Sequence, residues 1–485
     1  LKLKTENRFI IMIELLAVLL TILLGWLAVH TYRTSQGDLF HIALPFLLTY
    51  WFLYVLKFMG LKEILAARFS EELMVRGLLL AVAGLLACYL GSRSPLSRRL
   101  AMRLPRVPAR WESGALFPYA ALLFTVAVLG EAMFIGRSGG FEHFFSAARG
   151  AGDYQANTAY LYNLRWFSIP AATLILVEIF FNQLQGGKKL LGLFLIGLAI
   201  AYNLAIGQRS GLLIFGLTLA AAWFYAHRGH PRLGLRLALI FLPFYLAIGV
   251  VGLLRSEFHL NSSFQNTGAF FQQGETAVLE AVTENFFYTG SDPHDSHQEP
   301  VLYLSVLNAV PNLVDYDYGK PYLNYLVHWI PRLWWPDKPN FRLEGARRLE
   351  SAMGTDLQGP VLTVLGYFHA NLGLAGVIIG MFLTGVGLTA MYLWFRAQPG
   401  SLGALFIYLH LFLYGIGAVF CYGIFTGWDT ILPFSLAPAL GAFAYLRLTG
   451  RLSSADPERR FPTSAPRWPL ATNLNSPQRN HRGAA

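Results

Sequence analysis

The feature that most constrains this chain is the recurrence, along 485 residues, of apolar runs as long as a membrane is thick. A helix needs roughly 20 mostly apolar residues to cross the hydrocarbon core. Runs of that kind fall near 9–29, 40–59, 73–90, 115–135, 160–181, 190–207, 211–226, 237–254, 373–395, 402–422 and 430–446. Charged residues make up 13% of the chain and hydrophobic ones 55%, against roughly a quarter charged in an ordinary soluble protein. One oversized soluble core cannot absorb the difference, because soluble domains divide beyond about 250–300 residues. The sequence therefore predicts an all-α polytopic membrane protein with about 11 (10–12) transmembrane helices. The first run, Phe9 to Val29, is too long for the apolar region of a cleaved signal and lacks a small-residue cleavage site.

The net charge of +11 would suggest nucleic acid in a soluble chain. In a membrane protein, excess Lys and Arg marks the cytoplasmic loops instead. Segment 91–114 holds six Arg against one Glu, the loop 227–236 three Arg, and the tail 447–485 seven Arg against two acids. Placing all three in the cytoplasm is consistent with the spans between them and leaves no call for a nucleic-acid partner. The same count puts the N-terminus outside, although Lys2, Lys4 and Arg8 favour the inside, which makes one of the first three spans suspect. The tail, poor in large apolar residues beyond about 453, reads as disordered. Cys88 and Cys421 lie singly inside apolar runs and read as packed or lipid-facing thiols.

This orientation divides the chain into N-terminal helices (1–254), a large periplasmic loop (255–372), C-terminal helices (373–446) and the basic tail (447–485). The loop contains VLYLSVLNAV and YLNYLVHWIPRLWW, too short and interrupted to span, which read as interfacial or cavity-capping helices. Its charges are segregated. Nine acidic residues and no Lys or Arg lie between Ser256 and Gly319, whereas Lys320, Arg332, Lys338, Arg342, Arg347 and Arg348 follow. A basic cluster outside the membrane suits a phosphate site; local pairing such as Glu344 with Arg348, or lipid headgroup contact, accounts for it equally simply. Arg209, in the tight turn IGQRSG between two apolar runs, and Arg255, at a span end, join that set. For proton transfer, Asp337 and Glu344 lie among the basic residues; Glu275, Glu280, Glu284 and His369 are alternatives. The group DPHDSHQE at 292–299 matches no metal-ligand spacing.

At IPRLWWPDKP (330–339) the sequence resembles the bacterial O-antigen polymerase (Wzy-type) family of oligosaccharide repeat-unit polymerases. NLAIGQRSGLLIF is similar to that family's small-turn arginine, and GPVLTVLGYFHANLGLAGVIIG to the segment leading from the loop into the next span. Tyr367 follows Gly366 where the family often has a Glu nearby, so no catalytic acid is assigned there. The resemblance implies a GT-C-like, metal-independent glycosyltransferase of the inner membrane, without cofactor. Its substrate would be an undecaprenyl-diphosphate-linked oligosaccharide, and a chain-length regulator protein a further partner. In that frame Arg209, Arg255, Arg332, Lys338 and Arg342 would hold the diphosphate. Asp337 or Glu344 would be the base, and Tyr322, Trp334 and Trp335 would stack on sugars, unless they form an interfacial aromatic belt. Close alternatives are an O-antigen ligase, acting on the same donor, and a lipid-linked oligosaccharide transporter.

Overall fold

The computed structural model describes residues 2–137, 161–205, 209–227, 299–327, 362–420 and 436–452, apart from 109 and 162, with isolated positions at 140, 330, 334, 335, 337–339 and 351. Among these residues the structure is helical, without a named strand. Five helices are long and apolar enough to cross a membrane: α1 from its Ile11–Thr34 portion (whole helix Lys2–Thr34), α2 (Ala43–Gly60), α4 (Glu71–Arg93), α6 (Phe117–Arg137) and α12 (Val364–Arg396). Short α3 (Lys62–Arg68) and α5 (Pro95–Arg103) flank α4. The remaining helices are α7 (Ser168–Phe180), α8 (Gly186–Ala205), α9 (Arg209–His227), α10 (Glu299–Ala309), α11 (Lys320–Val327), α13 (Leu402–Phe420) and α14 (Ala437–Leu448). Large apolar side chains such as Leu15, Ile22, Leu190, Phe194 and Leu440 point outward, a surface that water would reject and lipid accepts. The chain is a multi-pass helical membrane protein.

Local chemistry sets the helix ends. Ser70 caps α4, its hydroxyl accepting from Leu73 N at 3.3 Å, with Glu71 and Glu72 in the first turn. Ser94 both ends α4 and caps α5, whose first residue is Pro95. Arginines close α1, α4, α12 and α14 (Arg33, Arg93, Arg396, Arg447), where the last carbonyls favour a cation.

Those four ends gather at one pole. Arg93 meets His30 at 2.5 Å, the Trp394 indole donates to Pro105 O, and Val107 N donates to Gln398 Oε1. Trp111 bridges to Leu452, joining segment 91–114 to the start of the tail as the charge pattern predicts. The 228–236 loop lies outside the described residues, but its entry helix α9 ends at the same pole, where Tyr225 reaches Asp38. At the opposite pole Lys62 pairs with Glu14 and Lys57 with Glu299. The first three expected runs each form a helix long and apolar enough to span, and α1, α2 and α4 alternate in direction.

The most extensive pairing is α4 with α12, made close by Gly91 facing the Phe382 carbonyl and Gly385 facing the Cys88 carbonyl. Cys88 is accordingly a packed thiol. α12 is two helices. At Leu372 and Gly373 the backbone leaves helical geometry, with Gly373 at φ +61°, a conformation natural only to glycine. Gly376 and Gly380 both face Phe368. In a straight helix Phe368 and Gly380 would lie about 18 Å apart, so residues 364–371 fold back against the start of the span. Leu365 reaches Gly84, near the middle of α4. The span expected from 373 does begin at that turn, but the chain before it dips into the bundle.

The run VLYLSVLNAV also departs from the interfacial expectation. α10 is buried along its length, packed on α4, α12 and the π-helical turn of α2 (Phe52–Lys57). Tyr303 donates to Gly77 O at 2.8 Å, and Leu304 fills the space that the missing Gly77 side chain leaves. The reason is pattern: an interfacial helix needs one polar face, and this run is apolar nearly all round.

Candidate functional site

Most of the residues singled out from the sequence fall beyond structural description. Arg255, Arg332, Arg342 and Glu344 lie outside the described residues, as do Glu275, Glu280, Glu284 and Cys421. Arg209 is the first residue of α9, but its side chain is likewise outside them. The WWPDKP run shows five positions, all but Pro336. Trp334 is 77% exposed, Trp335 and Asp337 are exposed, and Lys338 closes a turn onto Trp335 O while its ammonium donates to Ile330 O at 2.8 Å. Tyr322 is half-buried and edge-on to Tyr367 at 5.5 Å, and burial raises its phenol pKa above the ordinary range. His369, on the folded-back segment, is buried with Nε2 toward Val310 O at 3.1 Å. Glu299, the last member of DPHDSHQE, pairs with Lys57 at 2.5 Å, and no metal-ligating cluster occurs among the described residues.

What the structure brings together lies elsewhere. A cavity of about 230 Å³ opens between α6, α7, α8 and α9, at the pole opposite the basic one. The polarity of α6 and α7 fixes that placement. The chain entering α6 at Gly114 and Leu116 is bound to Glu178 near the end of α7, so the other ends of both helices, carrying Glu131 and Arg165, lie at the far pole. Gly130 lets Leu164 approach so closely that its added Cβ would lie 2.5 Å from the leucine side chain. Glu131 and Arg165 therefore line one space.

Both are buried, at 6% and 8% exposure. The Tyr202 hydroxyl donates to Glu131 Oε1. Glu131 Oε2 has no hydrogen-bond partner among the described residues. The Arg165 guanidinium stacks over Trp166 at 5.2 Å. Asn203 satisfies itself on Ala199 O at 2.8 Å. Apart from Ser168 the remaining wall is apolar, including Phe124, Ala127, Ile135, Ile169 and Phe215. Arg209, between Asn203 and Phe215 in the chain, starts α9 at this pole.

None of Glu131, Arg165, Tyr202 or Asn203 was singled out from the sequence. The signal was present for two: Glu131 and Arg165 lie inside the predicted spans 115–135 and 160–181, and ionisable residues there are functional candidates by default. Glu178 carries the same signal and is structural, so the signal alone does not discriminate.

No family model matches the chain, and neither a curated protein nor a solved structure matches it.

Proposed function

We propose that the chain polymerises undecaprenyl-diphosphate-linked oligosaccharide repeat units into O-antigen or exopolysaccharide at the periplasmic face of the inner membrane. The observation that supports this reading best is the polarity of the bundle. An apolar cavity with a buried acid and a buried arginine lies at the pole where the long loop is anchored through Glu299 and Lys57, away from the basic pole. A polyprenyl carrier needs an apolar groove beside a polar head site; two of the three sequence motifs that resemble the polymerases fall on the large loop and its exit into the following span, and the third on the turn that opens α9 at the same pole.

In that reaction the acceptor sugar hydroxyl loses its proton to a base and attacks the anomeric carbon of the donor. The carbon–oxygen bond to the carrier breaks, and undecaprenyl diphosphate leaves with the electron pair. Negative charge gathers on the diphosphate, where fixed cations lower the barrier. Arg209, Arg255, Arg332, Lys338 and Arg342 are the proposed cations and Asp337 or Glu344 the proposed base. Tyr322, Trp334 and Trp335 are the proposed sugar platform.

Deleting the gene and resolving surface polysaccharide on a gel tests the reading. A polymerase mutant retains core carrying a single repeat unit. Bare core with accumulating lipid-linked polymer would point to a ligase, internal accumulation of repeat units to a transporter, and an intact ladder would remove the proposal. Arg209→Ala and Arg332→Ala are expected to abolish polymer while membrane expression persists; unchanged chain length in both would remove the diphosphate role.

A further inference from the structure

The basic pole carries a surface that the proposed reaction does not use. α5 begins directly after the spanning α4, where Ser94 takes extended backbone and Pro95 opens the new helix. Its depth is fixed at both ends. Before it, Arg93 covers Tyr89 at 5.6 Å, and Tyr89 meets the exposed Trp26 edge-on at 5.8 Å; amphipathic aromatics of this kind settle at headgroup level. After it, Pro105 O accepts from the Trp394 indole at 2.9 Å, and Val107 N donates to Gln398 at 2.9 Å, where α12 ends. α5 therefore lies where two spans leave the hydrocarbon.

The surface of α5 is sorted into stripes. Ser97 and Ala101 are buried, α5 packs chiefly on α12, and the Ser97 hydroxyl donates to Ser94 O at 2.6 Å. Leu96 and Leu100 form a second stripe, apolar yet 45% and 41% exposed. Arg99 and Arg103 form a third, also exposed. Residues four apart stand one above the other on a helix. At about 100° per residue, the leucine stripe lies between the buried pair and the arginines. That order, from protein to apolar to cationic, is the one a helix at a membrane surface needs.

The arginines are also uncommitted. No acid occurs from Ser94 to Trp111, and among the described residues Arg98, Arg99, Arg103 and Arg106 have no hydrogen-bond or ion-pair partner. Exposed cations crowded without a counter-charge favour an anion beside them, and the exposed leucines favour hydrocarbon. We infer that α5 is a docking surface for an anionic phospholipid of the adjoining leaflet. The lipid phosphate sits between Arg99 and Arg103, whose Cβ atoms stand about 6 Å apart on neighbouring turns. Guanidinium forks suit its oxygens, and the first carbons of its acyl chain lie along Leu96 and Leu100. The surface is at the pole away from the proposed chemistry and does not rest on it.

Native mass spectrometry of the purified, delipidated full-length protein tests this. Phosphatidylglycerol and phosphatidylcholine of identical acyl chains are titrated back. The unmodified protein is expected to retain phosphatidylglycerol in preference. Arg99→Gln with Arg103→Gln is expected to weaken phosphatidylglycerol about 20-fold, from about fivefold for each cation near an anionic headgroup, and to leave phosphatidylcholine unchanged. Arg467→Gln with Arg479→Gln removes the same charge from the tail and is expected to change retention by less than about twofold. Glycerophosphoglycerol, the headgroup without acyl chains, is expected not to displace the lipid at equal concentration. Equal retention of the two lipids by the unmodified protein overturns the proposal. So does equal weakening by the two double variants, which marks a diffuse charge effect, or displacement by the free headgroup, which marks an anion site without a lipid. The lipid comparison needs no variant, so it stands if a double variant fails to fold. It also needs no polymer, so a retained polysaccharide ladder would remove the proposed function and leave this surface intact.

Discussion

Two buried glutamates, one near each pole, are handled in opposite ways. Glu178, fully buried at the end of α7, accepts from the Trp111 indole at 2.8 Å, Gly114 N at 2.8 Å, Leu116 N at 3.2 Å and Asn182 at 2.9 Å. It ties the basic segment to the bundle. Asp38, at the same pole, is similarly surrounded by Phe40 N and the hydroxyls of Tyr225 and Tyr392. Glu131 lines a cavity and has one donor, the Tyr202 hydroxyl, while its other oxygen is buried without a hydrogen-bond partner among the described residues. The basic pole uses carboxylates as structure, with their capacity filled from within. The loop pole keeps one partly unfilled.

The largest test of that contrast is Glu178→Ala. It strands the Gly114 and Leu116 N–H groups and the Trp111 indole, and is expected to cost on the order of 3–5 kcal/mol. Thermal unfolding in detergent should show a large fall in Tm; a variant melting with the unmodified protein would end the distinction between the poles. Next comes Gly91→Val, whose side chain collides with the Phe382 carbonyl. Overpacking of that kind costs typically about 1–3 kcal/mol, read as lowered Tm and lowered yield. Lys57→Met breaks the partly buried pair to Glu299 and is expected to cost about 1 kcal/mol. If its Tm rises instead, α10 is held by packing alone. Smallest is Glu131→Gln, which removes a charge that the protein itself satisfies only in part. Its stability is expected within about 0.5 kcal/mol of the unmodified protein or above it, read as an unchanged or raised Tm. A loss as large as that of Glu178→Ala would show that Glu131 is structural too.

Legibility in the sequence followed locality. The spans near 9–29, 40–59, 73–90 and 115–135 and the one from 373 were readable because hydropathy is a sum over neighbours in the chain. So was the meeting of segment 91–114 with the tail, because charge bias acts loop by loop. The folding-back of residues 364–371 was not readable: GYFHANLGLAG is apolar enough to continue a helix, and the turn shows only in the non-helical backbone at Leu372 and Gly373 and in Phe368 lying against Gly376 and Gly380. The buried position of α10 could have been suspected from its lack of a polar face.

By itself, then, the sequence determined a helical multi-pass protein with one basic pole, because burial in lipid and charge asymmetry depend on composition along the chain. Tertiary structure alone decided which acid is mortar and which is open. Glu131 and Glu178 are each a lone acid in an apolar run, and what separates them is the number of donors brought to each by residues far away in sequence: Trp111, Gly114 and Leu116 to one, Tyr202 to the other.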